Sequence, residues 1–149
     1  MSRKNIKFNG FGFPVVLANV ETKVVHDEIV PDVDFNELQK LLFIALIRKP
    51  SRLSGAEIKF LRLHLEMTQQ DFAKLLKIER SLVSKWENKD LKVTGMTVHA
   101  EIFLRMKLAR LTHQHLDDEF DIIEPGSAAK GVGKPLELKV GKASQKLVS

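Results

Sequence analysis

Met67-Thr68-Gln69-Gln70-Asp71-Phe72-Ala73-Lys74-Leu75-Leu76-Lys77-Ile78-Glu79-Arg80-Ser81-Leu82-Val83-Ser84-Lys85-Trp86-Glu87-Asn88 is the stretch on which the reading of this chain turns. Thr68 followed three positions on by Asp71 has the form of a capping box, in which each side chain satisfies a backbone N–H that the first helical turn leaves open. The helix it starts is short and carries Phe72, Ala73, Leu75 and Leu76. A second short helix is expected from Arg80 to Asn88. Val83 and Trp86 stand three apart in it and so share one inward face. Two such helices cross steeply, which calls for a small residue where their backbones approach, and Ala73 supplies it. Ile78 is expected to fill the corner between them.

That arrangement leaves Arg80, Ser81, Ser84 and Lys85 on the outward face of the second helix. Arginine can donate two hydrogen bonds to guanine, serine can bond several base edges, and lysine can reach a base or a phosphate. The face suits the major groove of duplex DNA. The open N–H groups beside Gln69, at the start of the first helix, suit a phosphate.

The pattern Thr-Gln-x-x-Phe-Ala-x-x-Leu-x-Ile-x-x-Ser-x-Val-Ser-x-Trp-Glu resembles the Xre family, the Cro/repressor-type helix-turn-helix regulators, over roughly Ser54 to Leu111. The resemblance implies a mainly α fold containing a five-helix DNA-binding domain, with Arg80, Ser81, Ser84 and Lys85 facing the bases and Gln69, Gln70 and Asn88 contacting phosphate. One recognition helix covers only a few base pairs, so a dimer is expected, with the apolar excess on Leu41–Ile47 or on the helix after Thr97 as the candidate surface; no cofactor is expected. Two positions depart from the pattern. Lys77 stands where glycine is usual, so a residue with a Cβ must take a left-handed backbone at a cost of about 1 kcal/mol. Glu79 replaces the usual serine or threonine cap. Its charge favours a helix N-terminus but opposes nearby phosphates.

Working outward, Ser54 with Glu57 forms another capping box and opens a helix with Ile58, Leu61 and Leu65 on one stripe. Thr97 caps a longer helix bearing Val98, Ile102, Phe103, Met106 and Leu111. Upstream, Asp34 with Glu37 opens a helix that Pro50 ends. Leu38, Leu41, Leu42, Ala45 and Leu46 lie on it at helical spacing, and Phe43, Ile44 and Ile47 widen the apolar face beyond one side. Val15–Val20, Thr22–Val25 and Ile29–Val30 are rich in β-branched residues and read as two or three short strands. Gly10-Phe11-Gly12 reads as a turn or an N-terminal arm. From Pro125 onward periodicity is lost apart from a short strand at 136–140, and the composition is that of a flexible basic tail. The expected organisation is thus a β-containing element with one helix over 1–50, the DNA-binding domain over 51–124, and the tail over 125–149. The strands, the helix at 34–48 and the Ser51-Arg52-Leu53-Ser54-Gly55 approach are similar to antitoxins of the MqsA type, which implies a toxin as a protein partner. The zinc cysteines of that type are absent.

Composition excludes more than it identifies. There is no cysteine, which removes disulfides, thiol catalysis and zinc fingers. No apolar run is long enough to span a bilayer, and no signal-peptide core follows the basic start, so the cytoplasm is expected. The net charge is +5, and residues 51–93 contribute +3 of it, from nine Lys and Arg against six Asp and Glu. A basic segment suits a polyanion. His113 and His115, near Asp117, Asp118 and Glu119, stand two apart and do not share a helix face, so no metal site is expected. His26 and His64 have no nucleophile or carboxylate arranged about them, and no catalytic constellation is present. The lysines at 130, 134, 139, 142 and 146 suit either solvent or phosphate.

Overall fold

A computed structural model describes residues 3–112 and 135–139. The chain divides into two compact units, one of residues 1–45 with 135–149 and the other of residues 46–134. Among the described residues the fold is mainly α, as expected, with five helices and a β-containing N-terminal element.

The first unit is built on strand β2 (Val15–Val25), which runs through both β-branched stretches of 15–25 as one element. Val15, Leu17 and Val20 are buried along it. Antiparallel to its first half runs β1 (Arg3–Phe8), a strand that the charged sequence Arg-Lys-Asn-Ile-Lys-Phe does not announce. The register slips between Lys4 and Ile6, where one β1 residue faces two of β2. Asn19 takes the left-handed backbone there (φ 52°), and its N–H donates to Asn5 Oδ1 at 2.8 Å. This is how a bulge is accommodated. Gly12 (φ 98°) donates to the Asn9 carbonyl in the turn joining the two strands. β3 (Glu28–Pro31) pairs with the second half of β2 through a two-residue turn, His26–Asp27, both left-handed as a type I′ hairpin requires. β4 (Leu136–Lys139) adds in parallel to the first half of β2, with Val15 opposite Leu136. The other residues of the expected tail lie outside the described residues, as do His113, His115 and their acidic neighbours.

Helix α1 (Phe35–Ile47) starts after Asp34, whose Oδ1 accepts from Asn36 N–H at 2.9 Å. Glu37 does not close the expected box; it pairs with Lys40. Leu38, Leu42, Phe43, Leu46 and Ile47 are buried, and Leu41, Ile44 and Ala45 are half-buried.

The second unit holds α2 (Gly55–His64), α3 (Gln69–Leu76), α4 (Arg80–Glu87) and α5 (Val98–Leu111). Ser54 and Glu57 form the expected box at α2, and Thr97 Oγ1 caps α5 by accepting from Ala100 N–H. Ser54 bridges to Val93, and Gly55 and Ala56 donate to the carbonyls of Lys92 and Asp90. The start of α2 thereby lies against the backbone that follows α4. A Cβ on Gly55 would collide with the Trp86 carbonyl oxygen and stand 2.8 Å from Asp90 N and 2.9 Å from Glu87 O. Only glycine fits that approach.

Helix α5 turns a partly charged face inward. Its inward face is Glu101, Leu104, Arg105, Leu108 and Ala109, whereas Phe103, Met106 and Leu111 are exposed. The charged residues occupy the core side because they are paired there. Arg105 bridges Glu101 at 2.7 Å and donates to the carbonyls of Ile47, Lys49 and Ser51. Glu101 in turn accepts from Arg52 at 3.1 Å and from Leu53 N–H. Lys49 closes the cluster on Glu57 at 2.7 Å and also donates to the Arg52 carbonyl. Burial pushes the Lys49 ammonium and the Arg105 guanidinium below their ordinary values, against the opposing pull of Glu57 on the first and of Glu101 on the second.

Candidate nucleic-acid interface

Helix α3 begins with the complete capping box: Thr68 Oγ1 accepts from Asp71 N–H at 3.0 Å and Asp71 Oδ2 accepts from Thr68 N–H at 3.2 Å. These bonds leave the N–H groups of Gln69 and Gln70 at the open end of the helix. The helix ends at Lys77, which is left-handed (φ 57°, ψ 45°). Its N–H donates to the Lys74 carbonyl, and Ile78 N–H donates to Ala73. That is the Schellman arrangement, made here without glycine. Ala73 and Phe72 are fully buried, and Ile78 is half-buried in the corner.

Glu79 sits at the N-cap of α4 with extended backbone, and its side chain makes no cap hydrogen bond. Val83, Trp86 and Glu87 face inward. Arg80, Ser81, Lys85 and Asn88 are exposed and Ser84 is half-buried, so these five occupy the opposite side. Asn88 is the C-terminal cap and follows the last helical residue. Gln70 is exposed at the start of α3, and Gln69 is half-buried beside it.

Gln69 is engaged at both ends of its carboxamide. Nε2 donates to Glu87 Oε1 at 3.2 Å, and Oε1 accepts from Arg80 Nη1 at 3.3 Å. A carboxylate needs a donor and a guanidinium needs an acceptor, so the two neighbours fix which way the amide points. Glu87 is itself held by Arg62 of α2 through a two-pronged pair, Nε to Oε2 at 2.7 Å and Nη2 to Oε1 at 2.9 Å. The remaining prong of Arg62 donates to the Met67 carbonyl at 2.9 Å, in the turn where Glu66 is left-handed (φ 56°). A continuous chain of hydrogen bonds therefore runs from the turn before α3, through Arg62, Glu87 and Gln69, to Arg80 at the tip of α4.

The family comparison decides what this geometry is. Residues 58–98 match the family model described as helix-turn-helix. They form an Xre/Cro-type helix-turn-helix domain. Domains of this type are non-catalytic DNA-binding modules, and the chain accordingly has a DNA-binding, regulatory role. Comparison with curated proteins and with solved structures gives no match. Among the described residues, no helix is long and apolar enough to cross a membrane.

Within the helix-turn-helix domain, sequence reading had singled out neither Arg62 nor Glu87 as a pair. A signal existed. Ile58, Leu61, Arg62 and Leu65 follow the spacing of a buried stripe, so Arg62 occupies a core position and calls for an anion. Glu101, Leu104, Arg105 and Leu108 repeat that spacing on α5.

Proposed function

We propose that the protein is a sequence-specific transcriptional repressor that binds DNA as a homodimer in the cytoplasm and inserts α4 into the major groove. The observation that carries this reading is the division of α4 into a buried side of Val83, Trp86 and Glu87 and an open side of Arg80, Ser81, Ser84 and Lys85, with Arg80 held by Gln69. Arg80 would read guanine, and Ser81, Ser84 and Lys85 would meet neighbouring base edges. The open N–H groups of Gln69 and Gln70, with the Asn88 side chain, would bond phosphates and set the register. In this reading Gln69 has two tasks: its backbone meets DNA while its side chain aims Arg80.

One recognition helix covers only a few base pairs, whereas two on a two-fold axis reach successive grooves about 34 Å apart. Exposed Phe103 and Met106 on α5 support that helix as the dimer surface, since α1 has most of its apolar side chains buried within the chain. Binding upstream of its own gene would make the protein an autorepressor.

Anisotropy titrations with a duplex from that upstream region and with a scrambled duplex, at two salt concentrations, test the reading. Arg80→Ala should weaken specific binding about 10- to 100-fold, as expected for a lost guanine contact. Lys85→Ala should weaken it as well and flatten its salt dependence. Equal binding of both duplexes by all three proteins refutes a base-reading role.

A second reading makes the protein an antitoxin that represses its operon and neutralises a toxin through residues 1–50. The exposed apolar tip of the β2–β3 hairpin favours it: Val24 and Ile29 face each other across the strands at 70% and 58% exposure. Loss of a co-purifying partner on Val24→Lys, with DNA binding intact, would support this version.

A further inference from the structure

The open side of α4 contains one residue that hydrogen bonding to DNA does not use. Leu82 stands 38% exposed in the first turn of the helix, with its N–H already bonded to the Glu79 carbonyl. Val83 and Trp86 fill the core side. By helical geometry Leu82 lies three positions before exposed Lys85 and therefore beside it, on the flank away from Arg80. An apolar side chain on a polar, basic face loses free energy to water until something apolar covers it.

In the major groove each base pair offers hydrogen-bonding groups, and the one apolar group on offer is the C5-methyl of thymine. The N-terminal residues of an inserted recognition helix approach the base edges, so the first turn, Arg80-Ser81-Leu82, lies nearest the groove floor. We infer that Leu82 is a specificity-determining residue that reads a thymine methyl group, beside the base read by Arg80. The inference rests on the DNA-reading face proposed above. Each half-site would then carry a guanine and, a short step along, a thymine for which cytosine or deoxyuridine is a poor substitute.

The test uses a duplex that the full-length wild-type protein enriches from a randomised pool. Each thymine of one half-site is replaced in turn by deoxyuridine, which keeps every hydrogen-bonding group and removes only the methyl. Wild type and Leu82→Ala are compared by anisotropy, with Trp86 fluorescence verifying that both are folded. At one position the replacement should weaken wild-type binding about fourfold, the worth of one buried methyl group. Leu82→Ala should bind the unmodified duplex more weakly by a similar factor and be indifferent to that replacement. Methyl loss affecting both proteins equally, or neither, overturns the role of Leu82 while leaving a DNA reader in place. If no duplex is enriched, the DNA-reading face falls and Leu82 with it.

Discussion

Replacing Arg62 by Met should unfold the helix-turn-helix far more readily than replacing Arg62 and Glu87 together. The two side chains are 9% and 5% exposed and share two hydrogen bonds of 2.7 and 2.9 Å. Taking Arg62 away leaves the Glu87 carboxylate buried without its cation, and such a loss costs about 3–5 kcal/mol. Most domains hold only about 5–15 kcal/mol in all. With a urea dependence of about 1.5 kcal/mol per molar, the midpoint should fall by about 2–3 M. Arg62→Met with Glu87→Met removes both charges and keeps similar volumes, so the midpoint should return to within about 1 M of wild type. The assay is urea unfolding followed by Trp86 fluorescence. Trp86 is the sole tryptophan, adjoins Glu87 and is 7% exposed, so it reports this unit alone. A double variant that loses the sum of the single losses to within about 0.5 kcal/mol would show that the two side chains act independently, and would refute the pairing argument.

Gly55→Ala should lower the same midpoint, since the new methyl meets backbone atoms of Trp86, Glu87 and Asp90 that cannot swing aside; a loss of about 1–3 kcal/mol is expected, and an unchanged midpoint would deny the close approach. Lys77→Gly should raise stability by up to about 1 kcal/mol by relieving the left-handed backbone, while lower stability would mean that the Lys77 side chain contributes more than the strain costs. Burial holds the Lys49 ammonium below its unfolded value of 10.5, so the unfolded chain binds more protons in the window that ends there. The resulting cost is fully present below the folded value and is lifted as pH rises towards 10.5. Urea stability measured against pH should therefore show a rise in wild type that is missing in Lys49→Met, and parallel profiles would contradict it.

The motif from Thr68 to Asn88 was legible because its signals are local. A capping pair three residues apart, a small residue at a crossing and two inward side chains three apart are all set within two helical turns. The same local reading gave the caps at Ser54 and Thr97 and the strained Lys77. It failed where a partner far along the chain decides the outcome. β1 is a strand because β2 offers it a ladder, and its own charged sequence has little strand character. A local competitor also intervenes once: Asp34 and Glu37 have box spacing, yet Glu37 pairs with Lys40, three residues on. On α5, the apolar residues did not reveal that Glu101 and Arg105 sit on the core side while Phe103 and Met106 face outward.

The charged inward face of α5 follows from where the backbone outside the helices needs donors. Hydrophobic periodicity assumes that a core position wants an apolar side chain, which holds when both packed elements satisfy their own backbones. Residues 47–53 and Met67 lie at helix ends or between helices, and several of their carbonyls are buried. Arg105 supplies donors to Ile47, Lys49 and Ser51, Lys49 to Arg52, Arg52 to Met96, and Arg62 to Met67. Each of these cations also meets a buried carboxylate: Glu101 for Arg105 and Arg52, Glu57 for Lys49, Glu87 for Arg62. A leucine at position 105 could fill the space but would donate to none of the three carbonyls that Arg105 meets. The cations thus occupy core positions because a connection passes there, and each fixes the path of that connection. For Arg62 the consequence reaches the face proposed to read DNA, because the carboxylate it holds also orients Gln69, and Gln69 accepts from Arg80.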